Sequence, residues 1–391
     1  MALPTDTNTD APAVVVGLCA HGLAVARALA RSGVRVLALE ANPSLPGVLT
    51  RYASVTRVAA VNGPALIATL NDFAQSLPPG TRPVLFLTND NMVRNVGERW
   101  DELAGRYRLS WSGCRDGVLK LLDKSSLEAH CDALGLPYPK SRMLTAAAEL
   151  DALANAGALA FPMIVKPTRP LSGFKVRLVE DAAGLRKLVA DHGQALPFLL
   201  QQWIPGGDEQ LFFTAFYLER GRILACYEGQ KLGSNPPAMG QTTIARSRPN
   251  PAARAIAKRF FAPLGLSGPV SLEVKLDAAG QPWIIEPTLG RTDYWLDCCV
   301  ANGVNLPALE YAHQTDSVLP EVQQRDDAIW FDTERTPFSY LRFRLGAGQR
   351  LDHPWRARFP YFGHSDGGPY LRGLRRFVTH SASRVWRRVT R

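Results

Sequence analysis

The feature that most constrains the fold is an apolar segment followed by a helical pattern and a second apolar segment near the N-terminus. Residues 13–16 (AVVV) form a short apolar run, residues 20–30 place apolar side chains at helical spacing, and residues 34–40 (VRVLALE) return as a strand. Residues 84–88 (VLFLT) add a later strand. Strand, helix and strand in this order predict an α/β fold with a parallel, doubly wound sheet.

The pattern changes along the chain and predicts four segments. Residues 1–115 form the α/β N-terminal domain, and 116–200 form a small lobe that opens with one helix over 118–134 and includes the strand FPMIVK. From residue 198 onward, short strands separated by glycine turns predict a larger antiparallel lobe, assigned to 201–325. Residues 326–391 remain as a C-terminal extension with a basic tail.

The net positive charge of this chain comes entirely from its C-terminal part. Of the net charge of +10, residues 341–391 carry twelve arginines against two aspartates, which is +10, so the remaining residues sum to zero. This distribution argues against nucleic-acid binding along the chain. Six cysteines without CxxC spacing, and no apolar run near the about 18 residues that a membrane span needs, predict a cytoplasmic protein.

A hairpin over residues 271–291 carries two glutamates on mostly apolar strands. Glu273 and Glu286 lie thirteen residues apart on either side of a turn at 277–280. Two adjacent carboxylates repel each other unless a cation lies between them, and Mg²⁺ prefers carboxylate and phosphate oxygens. The alternative is a pair of surface glutamates on an amphipathic hairpin.

Residues 196–210 lead from an apolar strand into a glycine turn. Backbone groups around Gln202, Trp203 and Ile204 could pair with an adenine edge, and Asp208 or Glu209 could accept hydrogen bonds from ribose hydroxyls. The alternative is an ordinary strand and loop with solvated acids.

Three lysines are candidates for binding phosphate. Lys124 follows LLD, Lys166 ends an apolar strand, and Lys175 lies in PLSGFKV. A lysine ammonium is a compact charge suited to phosphate. The alternative for each is a surface lysine whose stem covers apolar atoms.

In this order, these segments resemble the ATP-grasp superfamily over about residues 12–310. The resemblance implies a Rossmann-like pre-ATP-grasp domain followed by a two-lobed α+β ATP-grasp fold. It also implies a role for each matching residue. The nucleotide contacts are Lys124 and Lys166, the adenine hinge is Gln202, Trp203 and Ile204, the ribose acid is Asp208 or Glu209, and the metal acids are Glu273 and Glu286.

The sequence departs from the family at two places. Thr288 stands where the family usually has an asparagine as a third metal ligand, so its ligand role is open. The glycine-rich flap of the family is replaced by PTRPLSGFK, where Lys175 could supply the phosphate contact.

The resemblance implies that ATP and Mg²⁺ (or Mn²⁺) are used to join a small-molecule carboxylate to an amine through an acylphosphate. Lys231, before a Pro-Pro turn, and Arg291, after the second metal acid, are the candidates for gripping the carboxylate or the acylphosphate. The alternative for residues 227–247 is a surface hairpin without such a role.

Two other functions remain open on sequence grounds. Residues 17–22 (GLCAHG) between strand and helix, with Glu40 ending the next strand, would suit a nicotinamide-dependent oxidoreductase, although the motif is not GxGxxG. His21 is expected in the first turn of the helix rather than in catalysis. Thr288 keeps open a catalytically idle nucleotide-binding module.

The tail over residues 372–391 combines seven arginines with apolar residues that include Phe377 and Trp386, and it has no acid. This pattern suits the surface of an anionic membrane and predicts peripheral contact at the inner membrane surface. The alternative is a solvated or packed basic end.

Overall fold

The computed structural model describes most of the chain. The described residues are 11–155, 159–168, 174, 176–336, 338–346, 353–363 and 365–376.

The N-terminal region is a four-stranded sheet flanked by helices. Its elements are β1 (Ala13–Val16), α1 (Ala20–Arg31), β2 (Val36–Glu40), β3 (Ser54–Arg57), α2 (Ala65–Gln75), β4 (Val84–Phe86) and α3 (Asp90–Glu98). The strand order is β3-β2-β1-β4, and all pairings are parallel, as the strand–helix–strand pattern predicts. Strands β1 and β2 are buried throughout, which explains why both read as continuous apolar runs.

The helix predicted over residues 118–134 is two helices, α4 (Arg115–Leu122) and α5 (Leu127–Ala133). The chain breaks at Asp123, which has extended backbone and accepts a hydrogen bond from the Ser125 amide. Aspartate caps a new turn in this way instead of continuing the helix before it. The single-helix prediction was therefore wrong, and the break places Lys124 in a short turn between the two helices.

The small lobe is a four-stranded antiparallel sheet with helices α6 and α7. Its elements are β5 (Ser141–Leu144), α6 (Glu149–Asn155), β6 (Met163–Pro167), β7 (Arg177–Val179), α7 (Ala182–His192) and β8 (Phe198–Gln202). The order is β5-β8-β6-β7. Strand β8 crosses the boundary predicted between residues 200 and 201, and it pairs only with small-lobe strands.

The large lobe is a seven-stranded sheet in the order β13-β12-β9-β10-β11-β14-β15. Its elements are β9 (Leu211–Glu219), β10 (Arg222–Asn235), β11 (Gln241–Ser247), α8 (Pro251–Phe261), β12 (Gly268–Leu276), β13 (Pro282–Leu289), α9 (Leu296–Ala301), α10 (Leu306–Gln314), β14 (Ala328–Phe331), α11 (Ser339–Leu345) and β15 (Arg356–Arg358). Residues 367–376 are also helical. The C-terminal segment thus adds two strands to this sheet.

The large sheet is covered on both faces, which explains why β9 is apolar except for Thr214 and the terminal Glu219. Phe212 and Phe216 face a core that includes α8, whereas Phe213 and Tyr217 face a core shared with α1. The N-terminal and large sheets therefore share buried cores. No helix of the described residues is long and apolar enough to cross a membrane.

Candidate functional site

A cavity of about 380 Å³ is lined by side chains from the small lobe, the large sheet and the N-terminal region. Ten of the thirteen predicted site residues line it: Lys124, Lys166, Gln202, Trp203, Ile204, Lys231, Glu273, Glu286, Thr288 and Arg291. Of the other three, Lys175 lies outside the described residues, and Asp208 and Glu209 lie away from the lining.

The two predicted metal acids face each other across the β12–β13 hairpin. In the antiparallel register, Glu273 is directly opposite Glu286, and a β-bulge follows between Glu273 and Val274. Thr288 lies two residues beyond Glu286 and therefore on the same face of β13. The turn sets the register up to Val274 opposite Ile284, and the bulge, which adds Ile285 to β13, then brings Glu286 opposite Glu273. The sequence spacing predicted the pairing of the two strands but not this bulge.

Each of these carboxylates has a lysine beside it. Lys124 Nζ lies 3.1 Å from Glu286 Oε1, and the pKa of Lys124 is raised by this carboxylate. Lys231, which is 4% exposed, has its Nζ 3.6 Å from Glu273 Oε2. The cavity therefore holds two ion pairs at the point where the hairpin faces it.

The turn between β10 and β11 forms the wall beside Lys231. Lys231 Nζ donates to the Gly240 carbonyl at 3.4 Å. A Cβ at residue 240 would lie 2.0 Å from the Asn235 carbonyl carbon, so this close approach requires glycine. Asp208 Oδ2 accepts hydrogen bonds from the Ser234 hydroxyl at 2.9 Å and the Ala238 amide at 3.2 Å.

Asp208 thus braces this turn from outside the cavity lining. Glu209 follows Asp208 in the short helical turn Asp208–Gln210, and its backbone carbonyl accepts a hydrogen bond from Gln230 Nε2 at 2.7 Å.

The predicted nucleotide segment of the small lobe also lies at the cavity. Lys166 Nζ, on β6, donates to Gln201 Oε1 at 2.9 Å, and the buried Gln201 amide in turn donates to Ser141 Oγ. Strand β8 then delivers Gln202, Trp203 and Ile204 to the lining. A chain of side-chain hydrogen bonds therefore fixes the lysine at the end of its strand.

Arg291 connects the cavity to the N-terminal region. Its Nε donates to Asp90 Oδ1 at 2.7 Å, and its Nη1 donates to the Thr292 carbonyl at 2.9 Å. Asp293 lies 3.8 Å from the same guanidinium. Asp90 is the first residue of α3, so a residue that follows a parallel strand orients the arginine.

His21 lies in the first turn of α1, as predicted, and it is buried. Its Nδ1 is 3.2 Å from the Thr88 carbonyl, which can only accept, so Nδ1 carries the proton and Nε2 accepts from the Thr292 hydroxyl at 2.9 Å. Burial, together with the nearby positive charge of Arg291, lowers the pKa of His21 to about 3. The imidazole is therefore neutral at neutral pH, and its hydrogen bond holds Thr292, the residue after Arg291.

Three charged residues of the lining were missed by the sequence reasoning: Asp90, Lys275 and Asp293. Asp90 had a signal, because it follows a strand of the parallel sheet at the edge where such sheets bind ligands. Lys275 also had one, because it interrupts an apolar strand two residues after Glu273. Lys275 Nζ donates to the Gly206 carbonyl at 2.7 Å, and burial lowers its pKa.

Comparisons with known proteins find similar sequences and similar folds. No protein-family model matches the sequence. The chain is 28% identical over 202 residues to a D-alanine–D-alanine ligase of Stutzerimonas stutzeri (strain A1501), covering 47% of the chain and 61% of the relative. It is 22% identical over 287 residues to the carbamoyl phosphate synthase large chain of Thermus thermophilus, covering 61% of the chain and 27% of the relative.

Solved structures match over more of the chain. An N5-carboxyaminoimidazole ribonucleotide synthetase in complex with ADP aligns with a TM-score of 0.62 and 16% identity, over 81% of this chain and 79% of that chain. An L-amino acid ligase from Bacillus licheniformis aligns with a TM-score of 0.58 and 15% identity, over 82% and 78% of the two chains. In sequence this chain is therefore similar to D-alanine–D-alanine ligases, and in fold to these two enzymes, which confirms the resemblance to the ATP-grasp superfamily.

Proposed function

We propose that this chain is an ATP- and Mg²⁺-dependent ligase that joins a small-molecule carboxylate to an amine and releases ADP and phosphate. The observation that carries the proposal is the pair Glu273 and Glu286, directly opposite each other and facing a cavity that also holds Lys124, Lys166 and Arg291. The relatives named as D-alanine–D-alanine ligase and L-amino acid ligase support amino acids as the substrate class.

The residues present fit a magnesium ion that is held partly by nucleotide phosphates. Among the described side chains, no group of three or more His, Cys, Asp and Glu residues forms a metal cluster. Mg²⁺ commonly takes only one or two carboxylates together with substrate phosphates and water, which matches Glu273 and Glu286. When bound, the ion neutralises phosphate charge, and Thr288 is the candidate for a further oxygen contact.

The proposed reaction requires little covalent chemistry from the protein. A substrate carboxylate oxygen attacks the γ-phosphorus of ATP, the bond to the ADP oxygen breaks, and an acylphosphate forms. The amine then attacks the acyl carbon, phosphate leaves with its bridging oxygen, and the nitrogen loses a proton. Both steps depend on positioning and on cations near the developing negative charge.

The cationic side chains of the cavity suit these needs. We assign Lys124 and Lys166 to the nucleotide phosphates, and Lys231 and Arg291 to the carboxylate and the acylphosphate. Arg291 is held by Asp90 and by a backbone carbonyl, so its guanidinium is ordered before a substrate arrives. Such preorganisation reduces the reorganisation needed during the reaction.

The nicotinamide alternative is disfavoured by Glu40. Its two carboxylate oxygens accept hydrogen bonds from the Leu18 amide at 2.6 Å and the Asn42 amide at 2.8 Å, and the residue is buried. Because both oxygens of this carboxylate already bind backbone amides, Glu40 is not available to bind ribose hydroxyls. The idle-module alternative is disfavoured because both metal acids and Lys166 line the cavity together.

We also interpret the N-terminal parallel sheet as the Rossmann-like pre-ATP-grasp domain, and residues 326–391 as a basic extension. A role of residues 372–391 at the inner membrane surface remains a prediction, as does a cytoplasmic location. Residues 372–376 are helical, whereas the rest of this tail lies outside the described residues.

The test is a thermal-shift and phosphate-release screen of the full chain. We expect ADP with Mg²⁺ to raise the unfolding midpoint and NAD to leave it unchanged. Phosphate release from ATP should require both a carboxylate and an amine, supplied as pools of amino acids, sugar acids and peptides. Stabilisation by NAD alone would support the oxidoreductase, and nucleotide binding without turnover in any pool would support the idle module.

A further inference from the structure

Most of the exposed large apolar side chains of the described residues lie in the C-terminal extension. We call six of them the C-terminal apolar face: Phe338, Leu341, Leu345, Tyr370, Leu371 and Leu374. Leu345 is 76% exposed and Leu371 is 66% exposed. Leu341 and Leu345 are spaced i and i+4 on α11, and Tyr370 and Leu374 have the same spacing in the helix over residues 367–376, so each helix presents an apolar stripe to solvent.

A series of aromatic ring contacts connects α11 to the helix over residues 367–376. Ring contacts run from Tyr340 on α11 to Phe359 at 5.5 Å, from Phe359 to Phe362 at 6.5 Å, and from Phe362 to Tyr370 at 5.1 Å. The opposite side of α11 is anchored, because the buried Phe343 packs against Phe331 at 5.5 Å. The exposed leucines are therefore the outer side of helices whose inner sides are packed.

The charge around this face is predominantly positive, and Glu334, which precedes it in the chain, pairs with Arg376 at 3.9 Å. The described residues from 338 onward include seven arginines: Arg342, Arg344, Arg356, Arg358, Arg372, Arg375 and Arg376. The one acid among these described residues is Asp366, which is buried and bound to Arg27. Arg342, Arg344 and Arg375 are exposed, and no exposed acid in this described part of the extension offsets them.

We propose that the C-terminal apolar face docks on the surface of an anionic lipid membrane, independently of the proposed ligase activity. Leucine and aromatic side chains enter the boundary between headgroups and acyl chains, while arginines contact lipid phosphates. A second copy of the chain is a poor occupant, because it would bring two arginine-rich faces together. The earlier prediction concerned the terminal segment alone, whereas here packed helices supply the apolar contact.

The experiment is sedimentation of the full chain with vesicles. Phosphatidylcholine vesicles that contain about one-third phosphatidylglycerol are compared with pure phosphatidylcholine, at about 50 mM salt, where charges are weakly screened, and at about 1 M salt. We expect binding to the anionic vesicles at low salt, and at least about tenfold weaker binding to the neutral ones.

Variants with matched controls separate the contributions. Leu341→Ser/Leu345→Ser/Leu371→Ser should weaken vesicle binding by about tenfold or more. The variant lacks three apolar side chains whose transfer from water into the lipid would otherwise favour binding. Val318→Ser/Leu319→Ser alters exposed apolar residues elsewhere in the chain and should not change binding.

Charge reversal supplies a second pair of variants. Arg342→Glu/Arg375→Glu should weaken binding, whereas Lys187→Glu/Lys258→Glu makes the same change in net charge on other exposed helix positions and should weaken it less. Unchanged ATP turnover and unfolding midpoints would show that each variant is folded.

Three outcomes would overturn the proposal. The first is equal binding by the leucine variant and its control. The second is loss of binding on deletion of residues 377–391 with no effect of the face variants, which would make the tail the only anchor. The third is binding to soluble polyglutamate without binding to vesicles, which would point to an acidic protein partner instead.

Discussion

A buried ion pair joins the C-terminal extension to the N-terminal region, and its removal is expected to be costly. Arg27 on α1 is 5% exposed and Asp366 is 1% exposed, with 2.8 Å between Arg27 Nε and Asp366 Oδ2. The carboxylate also accepts from the Thr50 hydroxyl at 2.7 Å and the Arg51 amide at 2.9 Å. Arg27 further donates to the Pro360 carbonyl at 2.6 Å, so both partners are fully engaged.

The substitution Asp366→Asn leaves a buried guanidinium without its counter-ion. Removing one partner of a buried pair costs about 3–5 kcal/mol, because the remaining charge is not solvated. For a chain of this size, each kcal/mol corresponds to about 2 °C in the unfolding midpoint, so a drop of about 6–10 °C is expected. Limited trypsin digestion should also cleave faster at the arginines of the extension, because the extension is released from α1.

Two further variants test this reasoning. Arg27→Met/Asp366→Leu removes both charges and should recover part of the lost stability, because no unpaired charge stays buried, whereas the Arg51 amide and the Pro360 carbonyl still lose their partners. Asp151→Asn breaks the exposed pair between Arg186 and Asp151, and it should cost at most about 1 kcal/mol. The reasoning is refuted if Asp366→Asn costs no more than Asp151→Asn, or if the double variant is as unstable as the single one.

Three other predictions concern single residues. Glu286→Gln should abolish ligation while the unfolding midpoint is retained, because the side chain is half exposed and its volume is kept; parent-like phosphate release, or an equal loss in the control Glu180→Gln, would count against the metal assignment. Lys166→Ala should weaken ADP binding by about 1–3 kcal/mol, the cost of a lost charge-assisted hydrogen bond, and calorimetry that finds unchanged affinity would show a surface role. Burial raises the pKa of Glu310 from 4.5 to about 8, so the folded chain keeps a proton that the unfolded chain loses, and stability should fall as the pH rises from about 5 to 8. Glu310→Gln should flatten this slope in unfolding midpoints measured across that range, and identical slopes would contradict the assignment.

The parts of the site that the sequence predicted are those set by local geometry. The short turn pairs β12 with β13, but Glu273 lies opposite Glu286 because a β-bulge adds Ile285 to β13, which spacing alone does not encode. An apolar strand carries Lys166 to the cavity edge, so periodicity was sufficient for this lysine. The parallel N-terminal sheet followed for the same reason, because buried strands alternate with an amphipathic helix.

What the sequence did not predict depends on contacts between distant residues. The Asp90–Arg291 hydrogen bond joins residues 201 positions apart, and no local pattern encodes that meeting. The addition of β14 and β15 to the large sheet is similarly a long-range pairing. The break at Asp123 was local, but capping by one aspartate competes closely with helix continuation, so the apolar spacing on either side concealed it.

The two lysine–glutamate pairs of the cavity predict that Mg²⁺ and nucleotide bind cooperatively. A bare divalent ion approaching Glu286 and Glu273 meets the ammonium groups of Lys124 and Lys231, at 3.1 and 3.6 Å from those carboxylates. The phosphate oxygens of a bound nucleotide can pair with these two lysines. The ammonium groups then move away from the carboxylates, which reduces their repulsion of the Mg²⁺ ion. Binding of either ligand must then strengthen binding of the other by the same factor.

Titration calorimetry with Mg²⁺, in the presence and absence of saturating ADP, measures this coupling. We expect weak binding of Mg²⁺ alone, and binding about tenfold or more tighter with ADP, within the usual range of coupling between sites. The substitution Lys124→Met should tighten binding of Mg²⁺ alone and reduce the coupling, because one competing ammonium group is gone, whereas Lys120→Met, on the exposed surface of α4, should change neither. Equal Mg²⁺ affinity with and without ADP would mean that the lysines do not compete with the ion, and that the carboxylate pair is not where the ion binds.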